Sequence, residues 1–524
     1  MQALTPSHSI RRLARLLSAG TVVVGLATVT TARASAVNVT CQVVDLTSAV
    51  VTPYSTLQDA VDAASSGDTL RVQGICTGDT NINLPLTIVG QMDSVHGTPT
   101  LVGGPGTVVT IDHGVLAAIT DLTITGGTAS TGGGINNFGS LTLTGTTVTG
   151  NHGSTGAGVA NNSGASVTLD HSTVSSNTSN VRGGGIYNSG GASVTLTSSA
   201  VTGNHSVSGG GIYNSFAGTV TLTNSSVVSA NHATSGGGID SNGALSLADS
   251  TVTGNVAVLL GGGLYNSGTG TLTGSTVTGN TAVSGAGIAN LFGISLTLTS
   301  STVSHNATAG VFGGIGAGIY NGGSTLTLIG SNVTGNHGVT GGGIANYYSG
   351  TVMLTGSTTN SNTASGNGGG IANASGKVTL NGSTAAGNSA MLLGGGISNS
   401  SGASVTLTSS SAVTANHATS GGAVANSGTL ALADSTVAGD SAVLLGGGID
   451  NAAGGSATLT SSVVAGNHAS SGGAVANNAV LAVTDSTVAG NSAVVDGGAV
   501  YQLGGTITVS ASSVLAGNSP DEIS

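Results

Sequence analysis

Gly183-Gly184-Gly185-Ile186-Tyr187-Asn188, then Val194-Thr195-Leu196-Thr197, then Val201-Thr202-Gly203-Asn204: these three segments, in this order, form one unit of a repeat. Internal repeats outrank local propensity when a fold is read from sequence. The glycine motif has fifteen copies, the first ending at Asn137 and the last at Gln502, with a mean step of about 26 residues. Val194 and Leu196 alternate with Thr195 and Thr197, a period-2 pattern that puts apolar side chains inside and Thr outside. No segment is long enough for a helix or shows helical spacing. One strand per segment and three per period describe a coil of a right-handed parallel β-helix. Successive coils pair in parallel about 4.8 Å apart, so fifteen coils form a rod on the order of 70 Å long.

The asparagines follow from this stacking. The glycine motif ends in Asn137, Asn161, Asn188, Asn214, Asn266, Asn290, Asn321, Asn346, Asn373, Asn399, Asn426, Asn451 and Asn477, with Ser241 and Gln502 as exceptions. Side chains at one point of every coil can hydrogen-bond up and down the stack, which satisfies buried polar groups and pins register. These residues therefore read as a structural ladder and not as a binding site. The second motif supplies Asn151, Asn177, Asn204, Asn231, Asn255, Asn280, Asn306 and finally Asn518, in phase with the first.

The two ends differ from the repeat. Residues 1–36 read as a signal peptide: Arg11, Arg12 and Arg15 are basic, Leu16 to Val29 is apolar but short for a bilayer span, and Ala34-Ser35-Ala36 fits a cleavage site. The Arg11-Arg12 pair lacks the flanking residues of a twin-arginine signal, so the ordinary secretory route is expected. An extracellular or cell-surface location follows, with no transmembrane span in the mature chain. Cys41 and Cys76 are then a disulfide candidate in an oxidising compartment, with two free buried thiols as the alternative. Residues 37–126 are expected to form a cap and the first irregular coils, and 127–524 the regular repeats. Within the cap, Ser55 to Ala64 predicts a short helix with Ser55 as N-cap and Gln58 in capping-box position. Leu57, Ala60, Val61 and Ala64 share its apolar face, which would cover the open end of the core. At the far end Pro520, Asp521 and Glu522 are expected to blunt the last strand.

The cap and the coils resemble known families. Ser66-Gly67-Asp68-Thr69-Leu70 after the helix, then Leu84-Pro85-Leu86-Thr87-Ile88-Val89-Gly90, resembles the start of pectin-lyase-like β-helix proteins. Gly421-Gly422-Ala423-Val424 and Gly497-Gly498-Ala499-Val500 resemble the repeats of chlamydial polymorphic outer membrane proteins; the partner Phe-x-x-Asn motif of that family is replaced by Val148-Thr149-Gly150-Asn151 and its kin. The resemblance covers roughly residues 55 to 518 and implies the fold, with cell-surface adhesion as the associated role. That family's C-terminal β-barrel translocator has no counterpart in this sequence, so anchoring by that route is not expected.

Composition narrows function further. Of 524 residues only 5% are charged and 2% aromatic, Gly contributes 92, and the formal net charge is −11. With no basic patch, nucleic acid is not an expected partner. After residue 126 the only basic side chains are Arg182 and Lys377, about seven coils apart. Asp249, Asp434 and Asp485 recur at one place in the repeat but in coils that are not neighbours, too far apart for paired acid–base work. His152, His205, His232, His337, His417 and His468 follow the second-motif residue, and only His205 and His232 fall in adjacent coils. No catalytic residue, metal site or cofactor is therefore assigned. Thr142/Thr144, Thr195/Thr197, Thr221/Thr223, Thr271/Thr273, Thr297/Thr299, Thr406/Thr408 and Thr458/Thr460 would face outward in rows, as in ice-binding solenoids, although Thr also simply favours exposed strands. Blocks such as Asn231 to Gly237 recur at Asn416 to Gly422 and Asn467 to Gly473, as if whole coils had been copied. The leading expectation is a non-enzymatic secreted or surface rod, adhesin-like or structural, meeting a host-cell, matrix or glycan surface. A polysaccharide lyase or hydrolase is the second expectation and ice binding the third.

Overall fold

Nearly every coil brings four apolar side chains to the axis, with Gly270 and the buried Thr359 as exceptions, and this is what winds the chain. In one coil these are Ile186, Val194, Leu196 and Val201, all essentially buried. The computed structural model describes residues 40–48, 53–292, 294–310 and 313–524; the expected signal peptide, residues 1–36, lies outside them. The architecture is an all-β, right-handed-type parallel β-solenoid of about 17 turns. Three ladders run its length. The first holds five-residue strands such as Ser193–Thr197, the second three-residue strands such as Ala200–Thr202, and the third the Ile-x-Asn strands such as Ile186–Asn188. Neighbouring coils pair in strict register: Val194 with Val220, Val201 with Val228, Ile186 with Ile212.

Two coils precede the fifteen that carry the glycine motif. In the third ladder Ile82 pairs with Ile111, and Ile111 with Asn137. The first coils thus fill the ladder position with isoleucine, and the polar ladder starts only at Asn137. A fourth, shorter ladder was not anticipated. It follows the second motif, as in His232–Ser235 and Val256–Leu260, and is bulged where a coil has an extra residue.

Glycine is required where the third ladder is entered. Gly368 sits at φ 67°, and a Cβ on Gly369 would lie 2.5 Å from the carbonyl oxygens of both Gly395 and Ser389 in the next coil. Only a residue without a side chain permits that backbone approach.

The N-terminal end is closed by Gln42–Asp45, which pairs antiparallel with Thr69–Gln73, and by the helix Leu57–Ala63. Leu57, Ala60 and Val61 enter the main core. The helix starts one residue later than expected. Thr56, not Ser55, is the N-cap, and its hydroxyl accepts from the Asp59 amide. Gln58 makes no capping box; it accepts from the Asn81 amide and donates to Asp62. Cys41 and Cys76 are joined by a disulfide across a sequence separation of 35. Closing a loop of that size constrains the unfolded chain by about 3–4 kcal/mol. Replacing both cysteines with serine should loosen this cap, seen as faster protease cleavage before residue 80 with the later coils still protected. Cleavage at the parental rate would contradict it.

At the other end the chain folds back. The Asp521 carboxylate accepts from the Gly497 and Gly498 amides, and Ile523 pairs with Val500. Among the described residues no helix is long and apolar enough to cross a membrane.

Candidate ligand-binding face

Most residues singled out in the sequence are drawn into the interior. In the glycine-motif ladder each Asn donates from Nδ2 to the Oδ1 of its successor: Asn137 to Asn161 at 2.8 Å, Asn161 to Asn188, Asn188 to Asn214, then Asn266 to Asn290 at 2.9 Å. The chain of bonds continues through Asn290, Asn321, Asn346, Asn373, Asn399, Asn426 and Asn451 to Asn477, which donates to Gln502. Asn214 donates to the hydroxyl of Ser241.

Two further buried ladders occupy the other corners. Asn177 passes both its backbone N–H and its Nδ2 to Oδ1 of Asn204, each at 3.0 Å, while Nδ2 also donates to the Val148 carbonyl of the preceding coil. This pattern repeats through Asn306, Asn336, Asn362 and Asn388 to Asn518, with Asp440 taking the place of one Asn. Serines form the last corner ladder: the Ser172, Ser275, Ser301, Ser331 and Ser357 hydroxyls each accept the amide of the coil before.

The scattered acids and histidines do not converge. Asp249, Asp434 and Asp485 sit at φ 49°, 48° and 49°, left-handed turn positions that Asp tolerates. His205 and His232 stack with centroids 5.1 Å apart, and burial, then the His205 charge, lowers the His232 pKa. His337, His417 and His468 bond to hydroxyls of the next coil. Among the described residues no group of three or more His, Cys, Asp or Glu could hold a metal ion. The Thr row on the first ladder is in register, Thr195 beside Thr221 and Thr297 beside Thr327, but Ser246, Met353, Ala431 and Ala482 break it.

What the sequence reading missed is an aromatic face. Six of the eight tyrosines, Tyr187, Tyr213, Tyr265, Tyr320, Tyr347 and Tyr348, fall within seven consecutive coils. The first four occupy one position on the third sheet, immediately before the ladder Asn and turned away from the main core; Tyr213 and Tyr320 are buried among their neighbours there. Phe216, Phe292 and Tyr348 share a second position, two residues after the Asn, and are 81%, 72% and 72% exposed. Tyr187 and Tyr213 stack at 5.7 Å, with the Arg182 guanidinium 5.0 Å from the Tyr213 centroid. Such a cation over a ring is attractive.

The face deepens into a pocket of about 440 Å³. Gly322 lines it between Leu291 and Tyr347 of the neighbouring coils, and the Leu291 side chain packs so closely over it that a Cβ there would lie 2.6 Å from a Leu291 methyl. Tyr320 is the floor, Leu260 and Phe292 one wall and Tyr348 the other. Phe292 and Tyr348 hold φ of 72° and 52°. Bulky residues rarely adopt that conformation, and such strain concentrates at functional sites.

Asp240 lies in the same row between Tyr213 and Tyr265. Burial pushes its carboxyl up to about 7, with Arg182 and the Asn242 hydrogen bond acting the other way. Burial likewise lifts Tyr265 and Tyr320 to about 12, so both phenols stay neutral at ordinary pH. Asn242 donates to the Tyr213 hydroxyl at 3.1 Å and accepts from Ser267, so a polar row runs beside the rings. The arrangement can hold flat, uncharged ligand surfaces with polar edges; it does not pair two acids for bond cleavage.

The fold and this face define a parallel β-solenoid with an aromatic strip on one side. No family model matches the chain, and no curated protein matches it in sequence.

Proposed function

We propose that the protein is a non-enzymatic, exported or cell-surface rod that adheres through the aromatic face of its third sheet. The observation that carries this reading is the gathering of six of eight tyrosines on seven coils of a chain otherwise almost without aromatics. The exposed rings of the face are Phe216, Phe292 and Tyr348, and exposed rings mark binding surfaces because they offer large contact area at little entropic cost. The uniform coils elsewhere act as a spacer. The export signal read in residues 1–36 and the disulfide-linked cap fit a protein that works outside the cytoplasm.

Polysaccharide cleavage on this face has less support. Asp240 is buried, and its polar neighbours are Arg182 and Asn242, not a second carboxylate. Ice binding would need the unbroken Thr rows that Met353 and Ala431 interrupt.

The purified chain should bind to cells, extracellular matrix or an immobilised glycan array, and the double variant Phe292→Asn/Tyr348→Asn should lose most of that binding. Asn tolerates positive φ, so the variant keeps the turn and removes only the rings. Retention on none of these surfaces would overturn the reading.

A further inference from the structure

We infer that the fourth ladder of the C-terminal coils is the contact face of an antiparallel, two-fold dimer, the partner being a second copy of this chain. The inference goes beyond the adhesive reading and does not depend on it.

The fourth ladder of these coils alternates in height. Ala418 pairs with Ala442 and Ser420 with Leu445, so Val443 and Leu444 bulge out opposite the single residue Thr419. Val494 and Val495 bulge in the same way opposite Ser470. Met391 and Leu392 do so on the other side of Thr419, between the pairings of Ser389 with His417 and Leu393 with Ser420. These six side chains are 53–72% exposed and form three apolar ribs. The coils between them present Thr419 and Ser470, and the coil before the first rib presents Ser365 and Gly366. Six successive coils therefore run groove, rib, groove, rib, groove, rib, with the ribs about 10 Å apart.

That order fits a second copy of itself. A two-fold axis across the rod, between the Thr419 and Val443 coils, reverses the order. The rib at Met391 and Leu392 then meets the partner's Ser470, Val443 and Leu444 meet the partner's Thr419, and Val494 and Val495 meet the partner's Ser365. Every rib finds a groove, and each contact occurs twice, as a closed isologous interface requires.

The grooves can receive apolar tips because their polar groups bond within the chain. Thr419 donates to the Met391 carbonyl, and His417 and His468 bond to the Ser441 and Ser492 hydroxyls. The area is sufficient. The six tips offer on the order of 500 Å² per copy, and with the groove residues about 800 Å², the share each partner gives to a standard interface. A lipid surface fits less well. It favours an unbroken apolar face flanked by basic residues. Here polar coils interrupt the ribs, and the only Lys or Arg after Arg182 is Lys377, on the first ladder.

The test is sedimentation of the full chain at about 10 µM, where a dimer is expected. Leu392→Asp/Leu444→Asp places charges on two exposed tips and should raise the dimer dissociation constant about a hundredfold or more, with the fold unchanged by circular dichroism. Val258→Asp, on a similar bulge outside the six coils, should leave dimerisation as it is. The register is read by Leu392→Cys/Ser470→Cys. Within one chain these positions lie three coils apart, about 14 Å, beyond the reach of a disulfide. Across the axis they meet. Mild oxidation should therefore give a covalent dimer of the double variant and of neither single variant. A monomer, a dimer indifferent to the Asp pair, or a dimer without this cross-link would overturn the inference. So would flotation of the full chain with phosphatidylcholine vesicles that the Asp pair abolishes, since the ribs would then serve a membrane.

Discussion

Asp440→Asn is expected to stabilise the protein by roughly 3–5 kcal/mol at pH 8 and by very little at pH 4. Asp440 occupies a ladder position that is Asn in the coils on both sides. Its Oδ1 accepts from the Asn416 backbone and Nδ2, at 2.7 and 2.8 Å, as an Asn would. Its Oδ2 replaces an NH2 and, buried, has no partner. Burial drives the carboxyl up to about 8, against the opposing Asn416 hydrogen bonds. The sign follows from the protons bound. Below pH 4 the folded and unfolded chains both carry the proton, so the acid costs little. Between pH 4 and 8 the unfolded chain releases it while the folded chain holds it, and stability falls as pH rises. Above pH 8 the loss is complete. Asparagine removes this dependence and supplies donors for Asn467 Oδ1 and the Val413 carbonyl, in the manner of its neighbours. Denaturation of parent and variant at pH 4 and pH 8 reads the effect directly. An equal gain at both values would show that ionisation is not the cause.

Asn306→Ala is expected to have the opposite result, a loss of about 4 kcal/mol centred on the middle coils. Asn306 accepts from the Asn280 N–H and Nδ2 at 2.9 and 3.0 Å, and donates to Val277 O and Asn336 Oδ1. Alanine strands the two Asn280 donors and removes the side-chain donor to the Val277 carbonyl where water does not reach, while Asn336 Oδ1 keeps only the Asn306 backbone N–H at 3.0 Å. Solenoid coils contact only their neighbours, so the damage should be local. Hydrogen exchange should accelerate in the coils around residues 277–336 and remain slow near the ends. Asn306→Asp should reproduce the behaviour of Asp440, tolerated at pH 4 and costly at pH 8. Uniform exchange throughout the rod would refute the nearest-neighbour account.

The scaffold was legible because its determinants recur at a fixed interval. Gly, Asn, Val and Thr fall at the same phase in coil after coil, and phase is visible in a linear string. The second ladder rested on Asn residues already noted, and Val437-Ala438-Gly439-Asp440 could have been read as its one acidic rung. The helix cap was missed by one residue because Ser55 and Thr56 have the same capping chemistry, and only backbone geometry chooses between them. The aromatic face was hidden for a different reason. Tyr213, Tyr265 and Tyr320 are 52 and 55 residues apart in the chain and become neighbours only once every coil is laid in register. The pocket is harder still, since it needs Leu260, Phe292, Tyr320 and Tyr348 from four different coils.

The carboxamide ladders have a direction. Wherever Asn follows Asn, Nδ2 donates to the following coil and Oδ1 accepts from the preceding one, in the same sense from Asn137 to Asn214, from Asn266 to Asn477 and along the second ladder from Asn151 to Asn518; Ser241, after which Asn266 Oδ1 has no partner, and Asp440 are the interruptions. Their dipoles therefore add along the axis instead of cancelling, as peptide dipoles do in a helix. The solenoid has an electropositive tail and an electronegative head, although its side chains are almost all neutral. Glu522 accepts the final Nδ2, that of Asn518, at 2.6 Å, and Asp521 sits over two amides of the same end. Two of the few carboxylates in the molecule are thus stationed where this summed field favours an anion.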